Sequence, residues 1–199
     1  MSKNWREIRT ETLNLGFEKI KAYDKNKQAY VDAYNWAQGI IASTVGGVLR
    51  KIAVGCSGEN HKHIFDLEEM AKGEGEEFIA IAQAGVTDIK NNRINGWTLT
   101  DNRFFSMPDD FTGHRIINVL VMPKKITTGS ADDTLCQLPD RWRNIMPYLM
   151  ANRLYLDDDA AKAGYYWNLY MDMRNEILAS ESRLAVAVVG GIDIDGWCY

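Results

Sequence analysis

Proline is scarce in this sequence, with four in 199 residues, and cysteine and histidine are scarcer, with three each. Cys56, Cys136 and Cys198 lie far apart and odd in number, which excludes the paired framework of small secreted domains. They predict free thiols in a reducing compartment. His61, His63 and His114 leave few groups that titrate near neutral pH, so acid–base catalysis has little to work with. No apolar run reaches the ~20 residues that a membrane-spanning helix needs. The opening MSKNWREIRT has no apolar stretch after its basic residues, so no secretory signal is expected and folding in a cytoplasm is. Nor does one sign of charge dominate. The net charge of −4 divides into +4 over residues 1–51, −5 over 52–137 and −3 over 138–199. No segment has the clustered cations of a dedicated nucleic-acid surface.

What is present is an ordinary globular composition, 46% hydrophobic and 25% charged, in a chain long enough for one domain or for one domain with an insertion. Tyr30, Ala33, Ala37, Ile40, Ile41 and Thr44 recur at steps of three and four, which predicts a helix over residues 26–45. Trp5, Ile8, Leu13, Phe17 and Ile20 predict one or two shorter helical pieces before it, interrupted near Gly16. After Gly46-Gly47 the character changes. RKIAVGC, EFIAIAQAG, GWTLTDNRFF and HRIINVLVM are rich in β-branched and aromatic residues and are separated by Gly, Asn, Asp and Pro, the pattern of antiparallel strands. Alternation in EEFIAIAQA sends Phe78, Ala80 and Ala82 to one face and Ile79, Ile81 and Gln83 to the other. FDLEEMAKGEGEE reads as a helical turn or a charged loop.

Helical spacing resumes at Leu138-Pro139-Asp140, with Trp142, Ile145, Leu149, Asn152 and Leu156 as a stripe and Pro147 predicting a kink or a restart. A second long helix comes next, ending near Ala187, and the tail VVGGIDIDGWCY alternates like a strand or an extended arm. The fold class predicted is α+β: a helical bundle formed by the N- and C-terminal segments, with an inserted antiparallel β-sandwich-like domain. The expected boundaries are 1–46 with 138–187 for the helical domain, 47–137 for the insertion and 188–199 for a C-terminal arm.

Chemical motifs are weak. Asp157, Asp158 and Asp159 precede a helix, where carboxylates cap unpaired N–H groups and meet the positive end of the macrodipole; a metal site needs further ligands that the sequence does not nominate. Cys56, His61 and His63 lack the spacing of a zinc site, and Asp193, Asp195 and Gly196 lack the distal Glu of a calcium loop. GEGEEF carries acids where a phosphate loop needs neutrality. No Gly-x-Ser-x-Gly or His-Glu-x-x-His occurs. The expectation is a non-enzyme with no catalytic residue, no metal site and no cofactor. In GYYWNLY, the rings of Tyr165, Tyr166, Trp167 and Tyr170 wrap more than one helix face, which suits a broad core contact or a subunit interface.

The stretch LPDRWRNIMPYLMANRLYLDDDAAKAGYYWNLYMDMRNEIL resembles the C-terminal helical pair of head-to-tail adaptor (connector) proteins of tailed bacteriophages. EIRTETLNLGFEKI and AYVDAYNWAQGIIAST are similar to the N-terminal helices of that group. MPDDFTGHRIINVLVMPKKITTGSADDT resembles the approach to the helical pair in members with a β-rich insertion. The resemblance implies a structural virion protein of the neck, assembled in the host cytoplasm. Such a protein is a monomer in solution and a dodecameric ring beneath the portal, where it extends the DNA channel without sequence-specific DNA binding and without a membrane. Its partners are the portal protein and other neck or tail proteins. By that analogy Val188, Ile192, Ile194, Trp197 and Tyr199 are the portal-contacting anchors, and Tyr165, Tyr166, Trp167 and Tyr170 lie at the subunit interface. Two other readings compete. One is a carbohydrate- or protein-binding module displaying Trp97, Phe104 or Phe105; the other is a small metal-dependent hydrolase using the acids with His61 and His63.

Overall fold

The computed structural model describes residues 3–16, 23–56, 64–107 and 113–195, with side chains as far as residue 181 apart from that of Cys56. The chain is mixed α+β with antiparallel sheets. It divides into two compact units, Met1–Ala37 with Thr127–Tyr199, and Gln38–Ile126.

In the first unit, helix α1 spans Trp5–Asn14 and begins in a capping box. Asn4 Oδ1 accepts from the Glu7 N–H, and Glu7 Oε2 accepts from the Asn4 N–H, both at 2.9 Å, so two otherwise unpaired donors are satisfied reciprocally. Helix α2 spans Lys27–Thr44, close to the periodicity that predicts it, and contributes its residues as far as Ala37 to this unit. Helices α4 (Asp140–Tyr155) and α5 (Ala160–Asp195) complete the unit. α4 runs through Pro147 as one helix instead of restarting there. Trp5 and Ile8 of α1, Tyr34 of α2, and Trp142 and Leu149 of α4 are fully buried. Arg9 clamps this core from the side. Its guanidinium donates to Asp132 at 2.8 and 3.3 Å and lies over the rings of Tyr23 and Trp5 at 4.2 and 5.4 Å. Nearby, burial pushes the Cys136 thiol up, so this buried cysteine stays protonated beside Tyr34.

The second unit holds two antiparallel sheets. The four-stranded sheet has the order β1 (Val48–Cys56), β7 (Gly113–Met122), β3 (Glu77–Thr87), β4 (Arg93–Ile94). The three-stranded sheet has the order β2 (Ile64–Asp66), β6 (Phe104–Ser106), β5 (Thr98–Thr100). β1 and β7 pair without a break from Val48 opposite Val121 to Cys56 opposite Gly113. β5 and β6 are joined through Asp101, Asn102 and Arg103; Asp101 and Asn102 are both at positive φ, and the Arg103 N–H donates to the Thr100 carbonyl at 3.1 Å, which closes a tight turn. Val54, Phe65, Phe105, Ile117 and Val119 share one core with Leu67, so residues from both sheets meet in it. At the point of entry, Gln38 Nε2 donates to the Lys124 carbonyl at 3.0 Å, which ties the first residue of the unit to its last segment.

Strict alternation fails in β3. A register shift between Phe78 and Ala80 brings both Phe78 and Ile81 against the core, because an extra residue in a bulge inverts the facing of the residues after it, and a second shift follows between Ile81 and Val86. Asn118, buried in β7, donates from Nδ2 to the Gly85 carbonyl at 2.9 Å and so holds the irregular stretch.

The acidic stretch after β2 is a helix, α3 (Leu67–Gly73), capped by Asp66. Asp66 Oδ1 accepts from the Glu69 N–H at 3.1 Å and from Arg103 Nε at 2.8 Å, and Oδ2 accepts from Arg103 Nη2. The Arg103 hydrogen bonds, more than any other influence, lower the Asp66 pKa from 3.8 to about 2. A folded-state pKa below the unfolded one means that the unfolded chain binds more protons. The contribution of Asp66 is therefore complete above about pH 4 and is lost as pH falls through about 2. Between those values the unfolding midpoint of the parent is expected to fall more steeply than that of Asp66→Asn, as followed by circular dichroism; parallel acid limbs would contradict the assignment.

Candidate interaction surfaces of the helical hairpin

The three acids form the corner between α4 and α5. The N–H groups of Asp158 and Asp159 both donate to the Tyr155 carbonyl, at 3.1 and 2.8 Å, and the Asp159 carbonyl accepts the first bond of α5 from Ala163. Asp159 Oδ1 accepts from the Lys162 N–H at 3.0 Å, and Oδ2 lies 3.5 Å from Lys162 Nζ. That backbone hydrogen bond is the first cause of a lowered Asp159 pKa. Asp159 is thus the helix cap, while Asp157 and Asp158 are exposed. Asp159→Ala is expected to lower the thermal midpoint by a few degrees, whereas Asp157→Ala leaves it in place; equal effects in a melting experiment would refute the cap. Among the described residues, no three His, Cys, Asp or Glu side chains are grouped to hold a cation.

The hairpin is pinned along its length. Near the corner, buried Asn152 donates from Nδ2 to the Ala163 carbonyl at 2.9 Å. At the far end, Arg141 Nη1 donates to Ser180 Oγ at 2.7 Å and Trp142 Nε1 donates to Glu181 Oε1 at 3.3 Å. α5 has 36 residues to the 16 of α4, and its helical backbone continues to Asp195. The sequence predicts a strand or arm from residue 188. Residues 188–195 instead continue the helix, because alternation over so few residues does not distinguish a strand from a helix.

The aromatic residues of α5 divide by role. Tyr170 is buried in the chain's own core at 1% exposure. Tyr166 stacks on Tyr155 at 5.8 Å with 10° between planes, and its hydroxyl donates to the Leu15 carbonyl; burial, with Tyr155 next, raises its pKa. Both rings therefore bind parts of one chain together. Tyr165 and Trp167 remain on the surface, 59% and 38% exposed, each supported by an inner neighbour: Tyr165 edge-on to Tyr166 at 5.3 Å, Trp167 tilted on Tyr170 at 5.7 Å. Leu156 at the corner is also exposed.

Of the anchors expected in the tail, Val188, Ile192 and Ile194 fall on the helical backbone of α5, and their side chains lie outside the described residues, as do Trp197 and Tyr199 entirely. His61 and His63 also lie outside them. In the β-unit, Phe105 is fully buried, Trp97 packs against it at 5.8 Å, and Phe104 carries the Arg103 guanidinium at 5.2 Å. These rings are engaged with their own unit. No family model matches the sequence, and no curated protein matches it.

Proposed function

We propose that the chain is a structural virion protein, a head-to-tail adaptor that forms a ring between portal and tail and extends the DNA channel. In this reading the helices of the two chain ends form the bundle that builds the ring, the β-unit is a sandwich-like insertion, and the C-terminal segment reaches the portal through Val188, Ile192, Ile194, Trp197 and Tyr199. The protein has no catalytic task and needs no cofactor; DNA passes a wall to which it does not bind by sequence. Assembly takes place in the host cytoplasm, and monomers close into a ring on the portal.

The observation that carries this reading is the division of labour on α5. Tyr166 and Tyr170 stabilise the chain's own fold, while Tyr165 and Trp167 stand outward on the same rigid helix. Large rings held by packed neighbours lose little entropy on binding, which is the character of interface anchors. A ring requires two different patches on each copy, and an aromatic hairpin face supplies one. The likeness of the helical segments to phage adaptors supports the same conclusion.

The test replaces Tyr165 and Trp167 together by Glu in a phage that depends on the chain. The variant is expected to keep the parental circular dichroism spectrum and to disappear from purified particles by mass spectrometry, leaving filled heads without tails in micrographs. Infectious tailed particles that lack the chain would end the proposal.

A further inference from the structure

Asn95 and Gly96 are exposed, lie in no helix or strand, and form the crossing between β4 of the four-stranded sheet and β5 of the three-stranded one. Gly96 has a φ of +90°, and among the described residues neither the Asn95 carboxamide nor the Gly96 N–H enters a hydrogen bond. On its carboxyl side the loop is fixed by Trp97, whose indole N–H donates to the Ile94 carbonyl at 3.2 Å.

We infer that Asn95 is a site of spontaneous covalent modification, at which the side-chain amide is lost and the backbone crossing between the sheets is rebuilt. Base removes the Gly96 amide proton, and the nitrogen attacks Cγ of Asn95. A new N–Cγ bond forms, the bond from Cγ to the carboxamide nitrogen breaks, and that nitrogen leaves as ammonia with a proton from solvent. Water then opens the five-membered imide at either carbonyl. One opening leaves an aspartyl residue; the other leaves an isoaspartyl residue, whose backbone is one carbon longer. No oxidant or enzyme is needed. Glycine at the next position matters because the attacking nitrogen then has no Cβ beside it and the backbone turns freely.

Among the described residues, the fold holds several other asparagines away from the same reaction. The N–H that would attack Asn91 belongs to Asn92 and is bound to Asp88 Oδ1 at 2.8 Å, and the Asn92 carboxamide is bound to Asp88 Oδ2 at the same distance. The N–H after Asn102 belongs to Arg103 and is bound to the Thr100 carbonyl at 3.1 Å. Asn118 is buried within a strand, and Asn152 lies inside α4 with its side chain engaged. Asn95-Gly96 is the one Asn-Gly step in the sequence, and among the described residues it alone combines that step with an open loop.

The experiment is incubation of the full chain at mildly alkaline pH, with samples taken over weeks for ion exchange and peptide mapping. A more acidic species is expected, with the peptide containing position 95 resolving into an aspartyl and an isoaspartyl form. Asn95→Gln is expected to abolish both forms, and Gly96→Ala to slow their appearance several-fold. The same chain unfolded in urea is the reference. Conversion at Asn95 in urea without conversion in the folded chain would overturn the inference, as would earlier conversion at any other asparagine or no conversion in either sample. Particle assembly does not enter this measurement, so its outcome is separate from that of the proposed function.

Discussion

Replacing Trp5 by alanine is expected to remove about 3–5 kcal/mol of stability, measured as the shift in a urea unfolding curve. The indole is 1% exposed and meets Tyr34 edge-to-face at 5.0 Å and Tyr23 at 6.4 Å. Its own N–H along the backbone donates to the Thr134 carbonyl at 2.8 Å, so the side chain is held where the segment before α4 crosses the first helix. Truncation loses the transfer energy of the ring, opens a cavity between two tyrosines, and strips Arg9 of one of its two aromatic supports. Set against the 5–15 kcal/mol typical of a whole domain, this is a large fraction. Trp5→Phe is expected to recover most of the loss. A loss below about 1 kcal/mol for the alanine variant would show that the site collapses to fill itself.

Gly47→Val is the second large effect, expected to cost about 3–5 kcal/mol through backbone strain and overpacking together. Gly47 has a φ of +109°, and a Cβ built there would fall 2.9 Å from Ile79 Cδ1, 3.1 Å from Leu120 Cβ and 3.4 Å from the Val121 nitrogen. The neighbouring Gly46 separates the two causes. Its φ is +74°, with nothing within 4 Å of a built Cβ, so Gly46→Ala is expected to show strain alone, about 1–2 kcal/mol. Denaturation curves of the two variants giving equal losses would mean that the contact with β3 and β7 is soft and that only the backbone matters.

Much of the fold is legible in local patterns. The spacing of Tyr30, Ala33, Ala37 and Ile41 marks α2, and the Gly46-Gly47 pair marks its end, because periodicity and turn chemistry are properties of neighbouring residues. Asp159 as a cap is legible for the same reason. β3 is not, since the bulge that turns Phe78 and Ile81 to one side is set by pairing with β7, thirty or more residues away. The clamp of Arg9 on Asp132 joins positions 123 apart and has no local signal. The tail misleads because a few apolar residues fit either period. In GYYWNLY the sequence shows rings on more than one helix face but not their sorting: nothing local says that Tyr166 and Tyr170 face inward while Tyr165 and Trp167 face out.

The hydrogen bond from Gln38 to Lys124 has a consequence for how such a chain comes to exist. A polypeptide that departs and returns at the same spot leaves its host scaffold no gap to bridge, so the whole excursion can be gained, lost or exchanged as a cassette without re-routing the remainder. Grafting the segment into an unrelated loop, or closing the scaffold over a short glycine-serine bridge, should each yield a soluble product.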